Sequence, residues 1–308
     1  MEEFNQELIY KITDKFYKER PEVSRYKSEN NFVFLLKFKK IERVIKIDKN
    51  TEEMPWRILK ELYLTDRLRK HGEIPMPEIE FSDTAGKIIP NHWMIMKKMG
   101  DSDLNKEFLS KADVKDQFVE LGRILAKVHK IKFPKQGFIF HDNIEGEGFS
   151  INMKKEFNEC VQKLSESNKI TSEEIKISEK IVSKAKDSKE CVLCHNDFGP
   201  WQAVTSNKKI SCIIDWELAT TGDSVYDFSK AELMMKIWSG NIDFFKKGYE
   251  EVKKLPIDYE KIKIPYQVLE SIKIMSFFIG NGNNFNLAKK LFLELIKQQS
   301  NLFMNRII

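Results

Sequence analysis

Apolar residues at Phe4, Leu8, Ile9, Ile12, Phe16 and Tyr17 recur at helical spacing, which predicts an amphipathic helix closed before Pro21. The period then changes. Segments 31–38 and 43–47 are rich in Phe, Val, Leu and Ile and are separated by a polar break, the pattern of a hairpin. A helix is predicted over 53–71, ended by Gly72 and followed by Pro75 and Pro77, with further strands at 78–82 and 92–96. After Gly100 helical patterns take over, at 113–130, 152–164, 171–186 and 227–238 and from Tyr259 onward. One strand-like island, 190–216, interrupts them. The chain therefore reads as α+β: a small, strand-rich N-terminal part with one inserted helix, then a larger helical part, with the boundary at 97–101.

Composition narrows the classes. At 308 residues and 41% hydrophobic content the chain can bury a sizeable core, as one large domain or two lobes. No apolar run reaches the roughly 18 to 20 residues of a bilayer span, and the N-terminus lacks the basic-then-apolar layout of a signal peptide. A cytoplasmic location with no membrane partner is expected. The four cysteines, Cys160, Cys191, Cys194 and Cys212, read as reduced thiols, and the Cys191/Cys194 pair has no second half to complete a zinc site. The formal charge of +5 is a small excess of 52 basic over 47 acidic side chains. The densest basic stretch, Lys37, Lys39, Lys40, Arg43 and Lys46, alternates with apolar residues as a solvated strand face does, so no nucleic-acid partner is expected. There is no G-x-S-x-G, no H-E-x-x-H and no Walker A lysine loop, and the run from Gly280 to Phe285 reads as a turn between helices.

The island carries the candidate chemistry. A short apolar strand, 191–194, leads into His195, Asn196 and Asp197, in a loop made rigid by Gly199 and Pro200. Gln202 comes next, then a second strand, a polar turn at 206–209, and a third strand that ends at Asp215 and Trp216. Carboxylates and an amide at the ends of short strands suit phosphoryl transfer. That reaction needs a positioned hydroxyl, a carboxylate to accept its proton, and oxygen ligands for magnesium.

The run His195-Asn196-Asp197-Phe198-Gly199-Pro200-Trp201-Gln202, followed by Ile213-Ile214-Asp215-Trp216-Glu217, resembles the catalytic and metal-binding loops of aminoglycoside phosphotransferases and their choline-kinase and homoserine-kinase relatives. Gln202 lies five positions after Asp197 and Asp215 eighteen, as in the kinase-like pattern. The segment from Gly222 to Asp227 resembles the family's G-D-P-x-x-D-L segment, and 121–129 its L-G-x-x-L-A-x-L-H helix. Val44-Ile45-Lys46-Ile47 resembles its phosphate-lysine strand, and Glu61, fourteen residues before Pro75, its helix glutamate. The likeness covers residues from about 4 to 300 and thins over the last sixty or so. It implies a bilobal protein-kinase-like fold, with a nucleotide-binding lobe over 1–97 and a helical lobe over 98–308 that holds the catalytic loop and the acceptor. It also implies a small-molecule kinase moving the γ-phosphoryl of ATP or GTP to a hydroxyl. In that scheme Asp197 is the catalytic carboxylate, and Lys46, Glu61, Ser28, Met96 and Lys98 serve the nucleotide. Gln202 and Asp215 hold Mg²⁺, while His195 and Asp227 brace the loop, as His129 braces the interior. Trp201 either packs under the loop or lines the cleft.

Two positions depart from the family pattern. Gln202 stands where asparagine is usual, and its extra methylene moves the amide oxygen by about 1.5 Å. The nucleotide-covering segment 26–32 contains no glycine, leaving Ser28, Asn30 and Asn31 to supply hydrogen bonds and turns. An aminoglycoside acceptor calls for a carboxylate-lined cleft. Past Lys261 only Glu270 and Glu294 are on offer, at positions that read as surface helix, with Asp142, Glu145, Glu147 and Glu217 available elsewhere. The alternatives are a metabolite kinase, for an amino alcohol, a sugar or homoserine, and a catalytically weak nucleotide-binding module.

Overall fold

Large apolar residues facing each other across a hairpin organise the N-terminal part of the chain. The computed structural model describes residues 4–304 except 29, 141–142, 146–148, 186–187, 189 and 239. In chain order the elements are α1 (Gln6–Thr13), β1 (Glu22–Tyr26), β2 (Asn31–Lys37), β3 (Glu42–Asp48), α2 (Trp56–His71), β4 (Ile79–Asp83), β5 (Trp93–Lys97), β6 (Ser102–Asp103) and α3 (Leu104–Leu109). Then come α4 (Lys115–Val128), β7 (Gly137–Ile139), β8 (Ile144–Glu145), α5 (Phe149–Glu166), α6 (Ser172–Val182), β9 (Val192–Cys194), β10 (Ala203–Ser206), β11 (Lys209–Ile213) and β12 (Thr220–Gly222). The chain closes with α7 (Ser224–Trp238), α8 (Ile242–Val252), α9 (Tyr259–Phe277) and α10 (Gly282–Met304). No helix among the described residues is long and apolar enough to cross a membrane.

The chain divides into two compact units, one of 1–110, 139–143 and 201–217, the other of 111–138, 144–200 and 218–308. The first contains a five-stranded antiparallel sheet in the order β1-β2-β3-β5-β4. Strand alternation gives the sheet two different faces. Phe32, Phe34 and Leu36 of β2, Ile45 and Ile47 of β3, and Trp93 and Ile95 of β5 pack with Ile9 and Ile12 of α1. On the opposite face Val44, Met94 and Met96 pack against Ile58 and Leu62 of α2. Lys46 lies opposite Met94 in the β3–β5 register and so shares the α2 face. A small sheet, β11-β10-β6, belongs to the same unit, and Ile213 N donates to Pro75 O at 2.8 Å.

The second unit carries the sheet β8-β7-β12-β9 and most of the helices. Helices α4 and α8 meet backbone to backbone. A Cβ on Gly122 would lie 2.0 Å from Phe245 O, and one on Gly248 would lie 1.8 Å from Val119 O, so only glycine fits at either position. Helix α6 begins with a capping box in which Thr171 Oγ1 accepts from Glu174 N and the Glu174 carboxylate accepts from Thr171 N.

The structure differs from the sequence reading in several elements. Strand β1 and helices α3 and α8 were not anticipated by periodicity. The island at 190–216 is not one sheet: β9 pairs with β12, whereas β10 and β11 pair with each other and β10 also with β6.

Candidate active site

In the first unit the β3 lysine meets three carboxylates. Lys46 Nζ lies 2.6 Å from Glu61 Oε2, 2.9 Å from Asp215 Oδ1 and 3.7 Å from Glu217 Oε2. Glu61 reaches it from the buried side of α2, and Asp215 and Glu217 from the turn after β11. Burial opposes the charge on Lys46, but Asp215, Glu61 and Glu217 outweigh it and hold the ammonium well above its ordinary pKa. Burial raises the Glu61 carboxyl above its ordinary pKa; Lys46 offsets part of the rise, while Asp215 and Glu217 add to it. Lys46 thus draws three carboxylates together at one corner, and Lys60 also acts on Glu217.

Asp215 is held in an uncommon backbone conformation, with φ of 66°. Ile214 N donates to Gln202 O at 3.0 Å, so the residue before Asp215 is tied to Gln202, itself at the end of the 3-10 turn Pro200–Gln202. Asp215 and Gln202 offer hard oxygen donors, the kind magnesium takes, beside the carboxylates gathered around Lys46, and such a donor set fits a divalent cation.

These groups line a cavity of about 340 Å³. Val33, Val44, Met96, Val204 and Ile214 give it an apolar wall, and Lys46, Glu61, Gln202 and Asp215 a polar end. Ser28, Lys98 and Trp201 line it as well. The Lys98 ammonium bonds to Glu42 Oε2 at 2.7 Å and Asp101 Oδ1 at 2.5 Å, and those two bonds, the one to Asp101 first, raise its pKa.

Glu217 has a place that sequence reasoning missed. It does not stand among acceptor-lining carboxylates but is buried in this corner, accepting from Asn30 Nδ2 and Asn31 Nδ2 at 3.0 Å each.

In the second unit β9 delivers His195, Asn196 and Asp197 into a loop fixed by one buried carboxylate. Asp227, in the first turn of α7, accepts from His195 N at 2.7 Å and from Asn196 N at 2.9 Å. Its Oδ2 also lies 3.1 Å from His129 Nε2, while His129 Nδ1 lies 2.8 Å from Tyr249 Oη. Burial works against the Asp227 charge, but the contacts with His129 and His195 outweigh it and lower its pKa. His195 is fully buried, and its Nδ1 accepts from Asp197 N at 3.3 Å. Asn196 adopts φ of 63° and donates through Nδ2 to Thr220 Oγ1 at 2.6 Å. The backbone on which Asp197 stands is thus held from several directions. His129, Cys194 and Asp227 come within metal-sharing distance of one another. Burial, however, keeps the Cys194 thiol well above its ordinary pKa, and a metal would need the thiolate.

Glu270 is not a surface residue. Its side chain is 2% exposed and accepts from Tyr226 Oη, with Lys273 Nζ at 2.9 Å and Lys230 Nζ at 3.2 Å. Burial alone would raise its pKa, but Lys230 and Lys273 bring it down to about 2. Glu145 and Glu294 are exposed, and Asp142 and Glu147 lie outside the described residues.

A sequence model of the phosphotransferase enzyme family matches residues 22–254. No curated protein matches the sequence significantly. Among solved structures, aminoglycoside phosphotransferase APH(4)-Ia, in a ternary complex with AMP-PNP and hygromycin B, superposes with a TM-score of 0.68 at 14% identity, covering 94% of this chain and 97% of its own. The streptomycin-ATP complex of APH(2")-IIa gives a TM-score of 0.66 at 16% identity, covering 96% and 97%. A protein of Ralstonia eutropha JMP134, described as a candidate aminoglycoside phosphotransferase, gives 0.65 at 14% identity, covering 96% and 99%. At these identities the likeness establishes a shared kinase-like α+β fold.

Proposed function

The chain belongs to the phosphotransferase enzyme family and is a small-molecule phosphotransferase, and we propose that it moves the γ-phosphoryl of ATP or GTP to a hydroxyl of its acceptor. The observation that carries this reading is the Lys46–Glu61–Asp215 cluster at the polar end of the 340 Å³ cavity. The apolar wall suits a nucleobase. The lysine, oriented by Glu61, suits the phosphates. Gln202 and Asp215 would hold Mg²⁺, which when bound neutralises phosphate charge. Ser28, Met96 and Lys98 complete the nucleotide side of the scheme.

Asp197 would orient the acceptor hydroxyl and take its proton, a role that requires a carboxylate fixed within hydrogen-bond reach of that oxygen. Asp227 and His195 serve by fixing the loop. In functional terms residues 1–97 bind nucleotide and 98–308 carry the catalytic loop and acceptor, with 201–217 lending Gln202 and Asp215 to the nucleotide side.

For the acceptor, the compounds in the names of the structural relatives, hygromycin B and streptomycin, point to an aminoglycoside or another antibiotic hydroxyl. One observation favours a second reading. The carboxylate of Glu270 is already neutralised by Lys230 and Lys273, which leaves it unsuited to a polycation and favours a less cationic metabolite such as a sugar, an amino alcohol or homoserine. A γ-labelled ATP and GTP transfer screen across all these classes, with Mg²⁺, tests both readings. Label should pass to one class of hydroxyl compound. No transfer to any of them, together with no rise in Tm on adding nucleotide, would overturn the donor assignment.

A further inference from the structure

The segment between β1 and β2 has no glycine, yet a segment in this place must approach phosphate closely if the donor site is as proposed. The structure shows how its end is held. Glu217, two residues past Asp215, is 4% exposed and gives one carboxylate oxygen to each of two neighbouring amides: Oε1 accepts from Asn30 Nδ2 and Oε2 from Asn31 Nδ2, both at 3.0 Å. Asn31 is 3% exposed, and its Oδ1 has no hydrogen-bond partner among the described residues, so the Glu217 bond sets the orientation of that amide. Asn30 is held a second time through its carbonyl, which accepts from Arg57 Nη1 at 3.4 Å. The oxygen that takes Asn31 is also the one 3.7 Å from Lys46 Nζ.

We infer that Glu217 is a positioning residue for the phosphate end of the donor site, clamping Asn30 and Asn31 so that the entry into β2 is held in register with Lys46 and Asp215. Where other proteins bring backbone amides to phosphate by means of glycine, this chain fixes the same segment through side-chain amides on a buried carboxylate. The inference rests on the donor site proposed above, but the clamp itself is testable without nucleotide.

Two variants separate the roles. Asn30→Ala/Asn31→Ala removes the donors and leaves the carboxylate; Glu217→Gln turns an amide toward two amides. In nucleotide-free protein, tryptic cleavage after the exposed Lys27 should quicken several-fold in both variants if the clamp exists. In turnover assays both should raise the nucleotide KM by roughly ten- to hundredfold, the loss expected for a hydrogen bond to a charged group, while the Mg²⁺ requirement stays as in wild type. Combining all three substitutions should add little. Cleavage after Lys27 at the wild-type rate in both variants would overturn the clamp whatever the donor site does. A raised Mg²⁺ requirement in Glu217→Gln with no effect of the asparagine substitutions would overturn it too, making Glu217 a metal group. Faster cleavage in a protein whose wild type shows no nucleotide dependence would instead break the donor reading and leave the clamp as a structural device.

Discussion

Lys46 and Asp215 are 169 residues apart in the chain and 2.9 Å apart in space, Nζ to Oδ1. The first is fixed by the register of β3 between β2 and β5, the second by the turn that succeeds β11, and both belong to the same compact unit. Glu61 and Glu217 are nearly sealed from solvent, whereas the Asp215 side chain is 37% exposed. Of the three carboxylates around the lysine, Asp215 is therefore the most exposed, which suits the metal-holding role proposed for it.

Replacing Lys46 with methionine leaves Glu61 and Glu217 buried without their counter-charge. Breaking a buried pair in this way costs about 3–5 kcal/mol, so Tm should fall clearly. The same change removes the proposed phosphate partner, and kcat/KM should drop on the order of a hundredfold or more. Thermal denaturation and steady-state kinetics on one preparation check both. A variant with wild-type Tm and rate would mean that the cluster does neither job.

Much of the cluster around Lys46 was legible in the chain. The apolar segment 43–47 placed Lys46 in a strand, and the spacing of Glu61 to Pro75 marked it as the helix glutamate of the family pattern. Other elements left weaker marks. In β1 four of the five residues are exposed, so there is no apolar alternation to read. Helix α8 carries Gly248 in its interior, which weakens a helical reading, and the reason for that glycine is Val119 O on another helix. Glu217 and Glu270 show the same limit at the level of sites. The partners of Glu217, Asn30 and Asn31, lie nearly two hundred positions upstream. Glu270 is buried because Lys230 and Tyr226 come to it from α7, a pairing that no local pattern on α9 announces.

If the Gln202 amide oxygen holds the metal, Gln202→Asn should keep or raise turnover and Gln202→Ala should lower it. Mg²⁺ titration of the transfer rate is the direct readout. A greater loss in the asparagine variant than in the alanine variant would remove Gln202 from the metal site.

Glu270 supplies a pH signature. Its folded-state pKa of about 2 lies below the ordinary 4.5, so its contribution to stability is present above pH 4.5 and is lost as the pH falls toward 2. A shift of that size corresponds to roughly 3 kcal/mol. Urea unfolding should find Glu270→Gln less stable than wild type at neutral pH, with the gap narrowing at about pH 3. A gap that stays constant across that range would show that the ion pairs with Lys230 and Lys273 are not the source.

Asp197 is the carboxylate proposed to take the acceptor proton, and its replacement tests the proposed transfer most directly. The decisive measurement pairs γ-phosphoryl transfer with calorimetric nucleotide binding in wild type and Asp197→Asn. Loss of a general base should lower transfer by about a hundredfold or more while nucleotide affinity stays within a few-fold of wild type. Transfer by Asp197→Asn at a near wild-type rate would contradict the account.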